Sequence, residues 1–250
     1  MLEFQNVTYQ YPNEPQATVS GLSFSVSKGE FVSLIGVSGC GKSTVFKLIN
    51  GLLKPQGGSI TVNGEDILKQ KRYCGYMPQR DLLFPWRTVL DNLRLPLEIA
   101  GENKAESAEK AQQMLAEIGL EGQGDKFPYE LSGGMRQRVA FGRTALTGSE
   151  LLLLDEPFSA LDFLTRVSMQ EWLIKQYEHQ KKTILFITHD VEEAIFLSSK
   201  ILVVTDSPIA KLREIDVPLP YPRSRDMLSR VAMIELKENL LAMLREQVSE

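Results

Sequence analysis

Cysteine and histidine are scarce in this sequence, with two of each in 250 residues. Cys40 and Cys74 cannot build a disulfide framework, and with His179 and His189 they offer no metal-ligand spacing. Excess positive charge is also lacking. A formal net charge of -4 at pH 7 excludes a nucleic-acid binder that works through a broad basic face, so no nucleic-acid partner is expected. The short cluster Lys69-Gln70-Lys71-Arg72 reads as a solvated loop. Long hydrophobic runs are missing: nothing approaches the ~18–20 residues that cross a bilayer. The longest apolar stretches, at 151–154 and 201–204, have the length of buried strands. The start of the chain has no charged segment ahead of an apolar one, so no signal peptide is expected and the chain reads as soluble and cytosolic. No internal repeat or low-complexity tract stands out.

What is present is an alternation of short apolar runs and helical stretches. Runs at 2–9, 22–26 and 31–35 are bounded by turn residues. The third, Phe31-Val32-Ser33-Leu34-Ile35, is continuous and leads into glycines, as a buried strand feeding a helix does. Ser59-Ile60-Thr61-Val62 followed by Asn63-Gly64 reads as a hairpin strand and its turn. From Thr88 the character changes. The stretch 103–118 carries Ala108, Ala111, Met114, Leu115 and Ile118 at helical spacing and stops at Gly119. Strand signals return at 151–154, 183–187 and 201–204, separated by helical stretches at 164–180 and 191–197, which predicts parallel strands joined by crossovers. The expected class is α/β. One domain over 1–250 would comprise a core with an antiparallel β portion (1–85 and 148–216), a helical subdomain (86–147), and a C-terminal linker and helix (217–250). The Pro-rich stretch 217–222 reads as the linker, and Val231, Ile234, Leu241, Leu244 and Val248 as the apolar face of the helix.

Gly36-Val37-Ser38-Gly39-Cys40-Gly41-Lys42-Ser43-Thr44 fits the phosphate-loop pattern G-x-x-x-x-G-K-[ST]. Glycines let successive backbone N–H groups turn toward phosphate oxygens, and the helix that follows adds its positive end. Lys42 supplies a full charge to the β- and γ-phosphates, and the Ser43 hydroxyl is a Mg²⁺ ligand candidate. Cys40 lies near a helix N-terminus, where a reactive thiolate is favoured, but reads first as a small side chain tolerated in the loop. A maleimide there is expected to block ATP hydrolysis, and bound ATP to protect. The motif alone defines NTP binding and is shared by kinases, GTPases and recombinases. Leu151 to Leu154 then lead into Asp155-Glu156-Pro157. Asp155 suits the Mg²⁺ shell and Glu156 a base that polarises water for in-line attack on the γ-phosphate.

Leu131-Ser132-Gly133-Gly134-Met135-Arg136-Gln137-Arg138 resembles the signature motif of the ATP-binding cassette (ABC) ATPases, with Met in the fifth place of LSGGQ. Ser132 would cap a helix and touch a γ-phosphate, while Gly133 and Gly134 allow close backbone approach. The resemblance extends in order along nearly the whole chain. Tyr11 matches the aromatic that stacks on adenine, with Tyr9 as the alternative, and Gln79 the Q-loop glutamine that approaches Mg²⁺ and the water. Ser159-Ala160-Leu161-Asp162 matches the D-loop, and Thr188-His189-Asp190 the switch histidine. It implies a RecA-like P-loop NTPase core, ATP and Mg²⁺ as cofactors, and Glu156, His189 and Gln79 as the catalytic set. Two ATPs would be sandwiched in a homodimer, each signature serving the nucleotide of the other subunit.

A free-standing cassette without fused membrane helices, tandem duplication or coiled-coil insertion is similar to the ATPases of multi-subunit bacterial transporters. Asp81 to Val89 and the terminal stretch 218–226 resemble importer ATPases of the nitrate, sulfonate and taurine type, a group that includes importers of pyrimidine vitamin precursors. Phe141-Gly142 and Arg143-Thr144 depart from that group's usual pattern. Partners implied are transmembrane permease subunits and, indirectly, an external solute-binding protein, with the chain peripheral at the cytoplasmic face of the membrane. Leu82, Phe84 and Trp86 are expected to be exposed beside Gln79 for a partner's helix. The rival readings are a soluble ABC ATPase without membrane partners and a plain P-loop kinase.

Overall fold

A computed structural model describes residues 1–246. The first half runs β1 (Leu2–Tyr9), β2 (Val19–Val26), β3 (Phe31–Ile35), α1 (Lys42–Ile49), β4 (Gly57–Val62), β5 (Glu65–Asp66), β6 (Cys74–Met77), α2 (Val89–Ala100) and α3 (Lys104–Glu117). It continues with α4 (Gly133–Ala145), β7 (Leu151–Asp155), α5 (Phe163–Gln180), β8 (Thr183–Ile187), α6 (Val191–Leu197), β9 (Lys200–Val204), β10 (Leu212–Asp216) and α7 (Val231–Glu246). The chain divides into two compact units, Met1–Tyr73 with the chain from Leu173 onward, and Cys74–Trp172.

In the first unit, β2-β1-β4-β5 form an antiparallel sheet. Alternation along β2, with Val19, Leu22, Phe24 and Val26 buried and the residues between them exposed, gives it one covered face. The strands β9, β3 and β8 are parallel neighbours, with β10 antiparallel on the β9 side. Every residue of β3 and β8 is buried, the signature of strands covered on both faces. Parallel pairing requires crossovers, which the intervening helices supply. Because β3 and β8 pair in parallel with Leu34 opposite Ile187, the loops that follow them leave the sheet from the same edge.

The C-terminal part of this unit differs from the sequence expectation. The stretch after β10 is not a free spacer, since Val217 and Leu219 are buried. On α7 the packed face is Met233, Leu236, Leu240, Leu241 and Leu244, set against Val191, Ala194 and Ile195 of α6. Val231 and Ile234 face solvent instead, because the helical stripe is fixed by Met233 and Leu240, a choice that a list of aliphatic residues missed. Val248 lies outside the described residues.

In the second unit β6 and β7 pair in parallel, Met77 opposite Leu154. Neither β6 nor β10 was anticipated from pattern. Helices α2, α3 and α4 pack together. Each is started by a side-chain cap: Thr88 accepts from the Asp91 N–H, Asn103 from the Glu106 N–H and Ser132 from the Met135 N–H. Ala111, Met114 and Leu115 are the buried stripe of α3, as its spacing predicts.

Candidate functional site

In the first unit the loop after β3 turns through Gly39 and Gly41, both at positive φ. Gly41 sits at the start of α1 with φ 106° and brings no capping side chain, and α1 has no acidic residue in its first turn. A Cβ at Gly41 would lie 2.7 Å from Thr18 Cγ2, so only glycine fits. The helix start is thus left as bare backbone with its positive end unopposed, which suits an anionic ligand. Lys42 is buried and its Nζ donates to Gly36 O at 2.9 Å and Val37 O at 2.8 Å, wrapping the ammonium onto its own loop. Ser38 is exposed and Ser43 half-buried. Cys40 is 7% exposed, with Sγ 3.7 Å from Lys42 Nζ. The Tyr11 and Thr44 hydroxyls lie 3.2 Å apart, so Tyr11 is anchored to the first turn of α1. Tyr9 is buried against it, ring edge to face, which makes Tyr9 a packing residue.

The loop after β8 carries His189, exposed. Its neighbours are tied down on both sides. Thr188 Oγ1 donates to Glu193 Oε2 at 2.6 Å, and Asp190 accepts from the Glu192 and Glu193 N–H groups to cap α6.

In the second unit β7 ends on Asp155, 2% exposed, followed by Glu156 at φ 49°. A non-glycine residue in that left-handed region is uncommon, and such positions cluster at functional sites. Burial and the Asp155 charge together push the Tyr76 phenol above its usual range. Gln79, two residues beyond β6, donates its Nε2 N–H to Glu156 Oε2 at 3.2 Å. The backbone of Glu156 is held as well: its carbonyl accepts from Gln137 Nε2 at 3.1 Å and from Ser159 Oγ at 3.0 Å. Gln137 also accepts from the Ala160 N–H at 2.7 Å. One buried amide on α4 therefore fixes both the acidic strand end and the turn containing Ser159 and Ala160.

The residues Arg136 and Arg143 also act from α4. Arg136 Nε donates to Asp81 Oδ2 at 3.0 Å, while Arg143 donates to the carbonyls of Asp81 and Leu82 at 2.8 and 2.9 Å. Sequence reasoning gave Gln137, Arg136 and Arg143 no role. Their acceptors lie 19 to 62 residues away along the chain, and no local pattern encodes such pairings. A cavity of about 440 Å³ opens here, lined among others by Gln79, Asp81, Leu82, Gly133 and Arg136. Leu82 and Trp86 are 60% and 72% exposed as expected. Phe84 is half-buried rather than exposed, its backbone N–H bonded to the buried Asn92 and its ring 5.2 Å from that of Trp86. Asp162 is exposed, and hydrogen bonds from Thr165 hold its carboxyl below the usual range.

Among the described residues no cluster of three or more His, Cys, Asp or Glu could cage a metal. The Ser43 hydroxyl in the first unit and the Asp155 carboxylate in the second are each an oxygen donor of the kind Mg²⁺ takes, one or two coming from protein while phosphate and water complete the shell. The bare start of α1 fits a nucleotide triphosphate.

These features define a P-loop nucleotide triphosphatase. The profile of the ABC transporter family matches residues 19–159, and the chain belongs to that family and is an ATPase. It is 41% identical to the formylaminopyrimidine import ATP-binding protein ThiZ of Halalkalibacterium halodurans over 99% of this chain and 97% of that one. It is 40% identical to the aliphatic sulfonates import ATP-binding protein SsuB of Bacillus cereus over 88% of each. Among solved structures, the dimeric post-hydrolysis state of the ATP-binding cassette MJ0796 with ADP and Pi superposes with a TM-score of 0.80. Identity to that structure is 28%, covering 88% of this chain and all of that one. Among the described residues no helix is long and apolar enough to cross a membrane.

Proposed function

We propose that this chain is the ATP-hydrolysing subunit of a bacterial-type importer, working as a dimer of cassettes at the cytoplasmic face of the membrane on separate permease subunits. The substrate class it serves is that of its relatives: small organic solutes such as formylaminopyrimidines or sulfonates, delivered by an external binding protein. The observation that carries the reading is the wiring of α4. The helix that begins at the Ser132 signature also holds Glu156 through Gln137 and the segment after Gln79 through Arg136 and Arg143. An element that senses nucleotide is thereby joined to the hydrolytic base and to the exposed Leu82 and Trp86, a surface suited to a partner's helix.

In this reading Lys42 and the amides at the start of α1 bind the phosphates, while Tyr11 stacks on the base. Ser43, Asp155 and Gln79 would hold Mg²⁺, which supplies charge neutralisation on the phosphates. Glu156 takes the proton from the attacking water, oriented for that by Gln79, and His189 contacts the γ-phosphate. Ser132, Gly133, Gly134 and Asp162 complete the site of the other subunit.

The test is co-expression with candidate permease subunits, followed by purification and ATP-driven uptake into proteoliposomes. Substrate-stimulated ATP hydrolysis is expected only in the complex. An ATPase that neither co-purifies with a permease nor responds to it would overturn the reading in favour of a cassette without membrane partners.

A further inference from the structure

The helix α6, which begins directly after His189 and Asp190, is only two turns long, too short to hold its place by intrinsic helix stability. Its last carbonyls are the orphans every helix leaves at its C-terminus. Ala194 O is answered within the helix end by Ser198, and the carbonyls of Ile195, Phe196, Leu197 and Ser198 are answered by side chains from one short stretch. Arg223 Nη1 donates to Ile195 O, Phe196 O and Ser198 O at 3.0, 3.0 and 2.9 Å, and its Nη2 to Leu219 O at 2.7 Å. Tyr221 Oη donates to Leu197 O at 2.8 Å. Arg223 is 8% exposed, with its guanidinium 4.1 Å from the Tyr221 ring centroid, and Arg225 lies over Phe196 at 4.7 Å. Met233 and Leu240 of α7 form an apolar wall along the same helix. The Lys237–Glu192 pair at its first turn is exposed on both sides and adds little.

We infer that Arg223, backed by Tyr221, is a positioning residue for ATP hydrolysis: it clamps the C-terminal end of α6 and so fixes the loop that presents His189. At the opposite end of α6, Thr188–Glu193 and Asp190 tie the helix to that loop. Slack admitted at the carbonyl end is transmitted through two rigid turns to the histidine. A buried guanidinium shared among four carbonyls is the strong link, since its removal leaves those acceptors unpaired away from water. The phosphate loop and Tyr11 are untouched by it, so nucleotide binding is spared. The inference rests on the reading of His189 as a γ-phosphate contact.

The experiment is a double-mutant cycle on the full chain, reading steady-state kcat and the Kd of a fluorescent ATP analogue. Arg223→Ala is expected to lower kcat about tenfold with Kd changed less than about twofold, and Arg223→Lys to recover part of the loss. Tyr221→Phe, which removes one hydroxyl and keeps the ring, is expected to lower kcat about threefold, and it carries the test if Arg223→Ala fails to fold by circular dichroism. In a His189→Ala background both changes should cost less than about twofold more, because their route is already cut. Equal losses with and without His189 would overturn the clamp alone. A wild-type kcat in His189→Ala would instead overturn the role of His189, and the inference with it.

Discussion

The Gln79 side chain donates its amide N–H to the carboxylate of Glu156 at 3.2 Å, so the end of β6 and the end of β7 meet in one hydrogen bond. Parallel pairing of the two strands makes the meeting possible, with Met77 opposite Leu154 just before the two residues leave the sheet. The bond fixes the orientation of the Glu156 carboxylate through a neutral donor.

Glu156→Gln is expected to keep the fold and ATP binding, because the amide retains an oxygen for Gln79. Hydrolysis should slow by ~10²–10⁴, the usual loss for a positioned proton acceptor. With turnover blocked, ATP should trap a dimer visible by gel filtration or light scattering. Rapid hydrolysis in the variant would remove Glu156 from the mechanism.

Ser132→Arg, added to Glu156→Gln, is expected to abolish the trapped dimer while leaving the nucleotide affinity of the monomer nearly unchanged. Ser132 caps α4 in the second unit, whereas Lys42 belongs to the phosphate loop of the first. Lys42→Ala should lose ATP binding and dimer together. Should Ser132→Arg weaken monomer affinity as severely as Lys42→Ala, the signature would serve the nucleotide of its own chain.

Both thiols are expected to be slow to react in the native protein. Cys40 is buried beneath Lys42, and burial pushes the Cys74 thiol up to about 12, which leaves almost no thiolate at neutral pH. Burial of Cys40 supports the tolerated-small-residue reading of the loop. Prolonged maleimide treatment that reaches Cys40 should still stop ATP hydrolysis, with ATP protecting. Peptide mass spectrometry decides it, and equal Cys40 labelling with and without ATP would remove the idea.

Gly142→Ala is expected to destabilise the protein although it lies in the middle of a helix. Alanine is favoured over glycine there by about 1 kcal/mol. A Cβ at Gly142 would come within 2.9 Å of Met114 Cγ and 3.1 Å of Leu93 Cδ2, and overpacking of a core costs about 1–3 kcal/mol. Packing wins, for a net loss of about 1 kcal/mol and a lower melting temperature. A raised melting temperature would mean that α3 yields. The close approach of α2 and α3 gives the physical reason for a glycine at 142.

What the sequence alone determined is everything encoded within a few residues of itself. The phosphate loop, the acidic strand end and the capped signature helix are each read from contiguous types, because a turn, a cap or a buried strand is a local device. β3 and β8 are legible because strands buried on both faces are near-continuous apolar runs, broken here only by Ser33 and opened by Thr183. Tertiary structure decided the rest. The burial of Cys40, the partial burial of Phe84 and the packed face of α7 depend on which surface another element covers. The grip of Gln137 on Glu156 and that of Arg223 on α6 join residues 19 to 28 positions apart. Such contacts form only after the sheets are built, when buried carbonyls without a partner must find a donor wherever the fold has brought one.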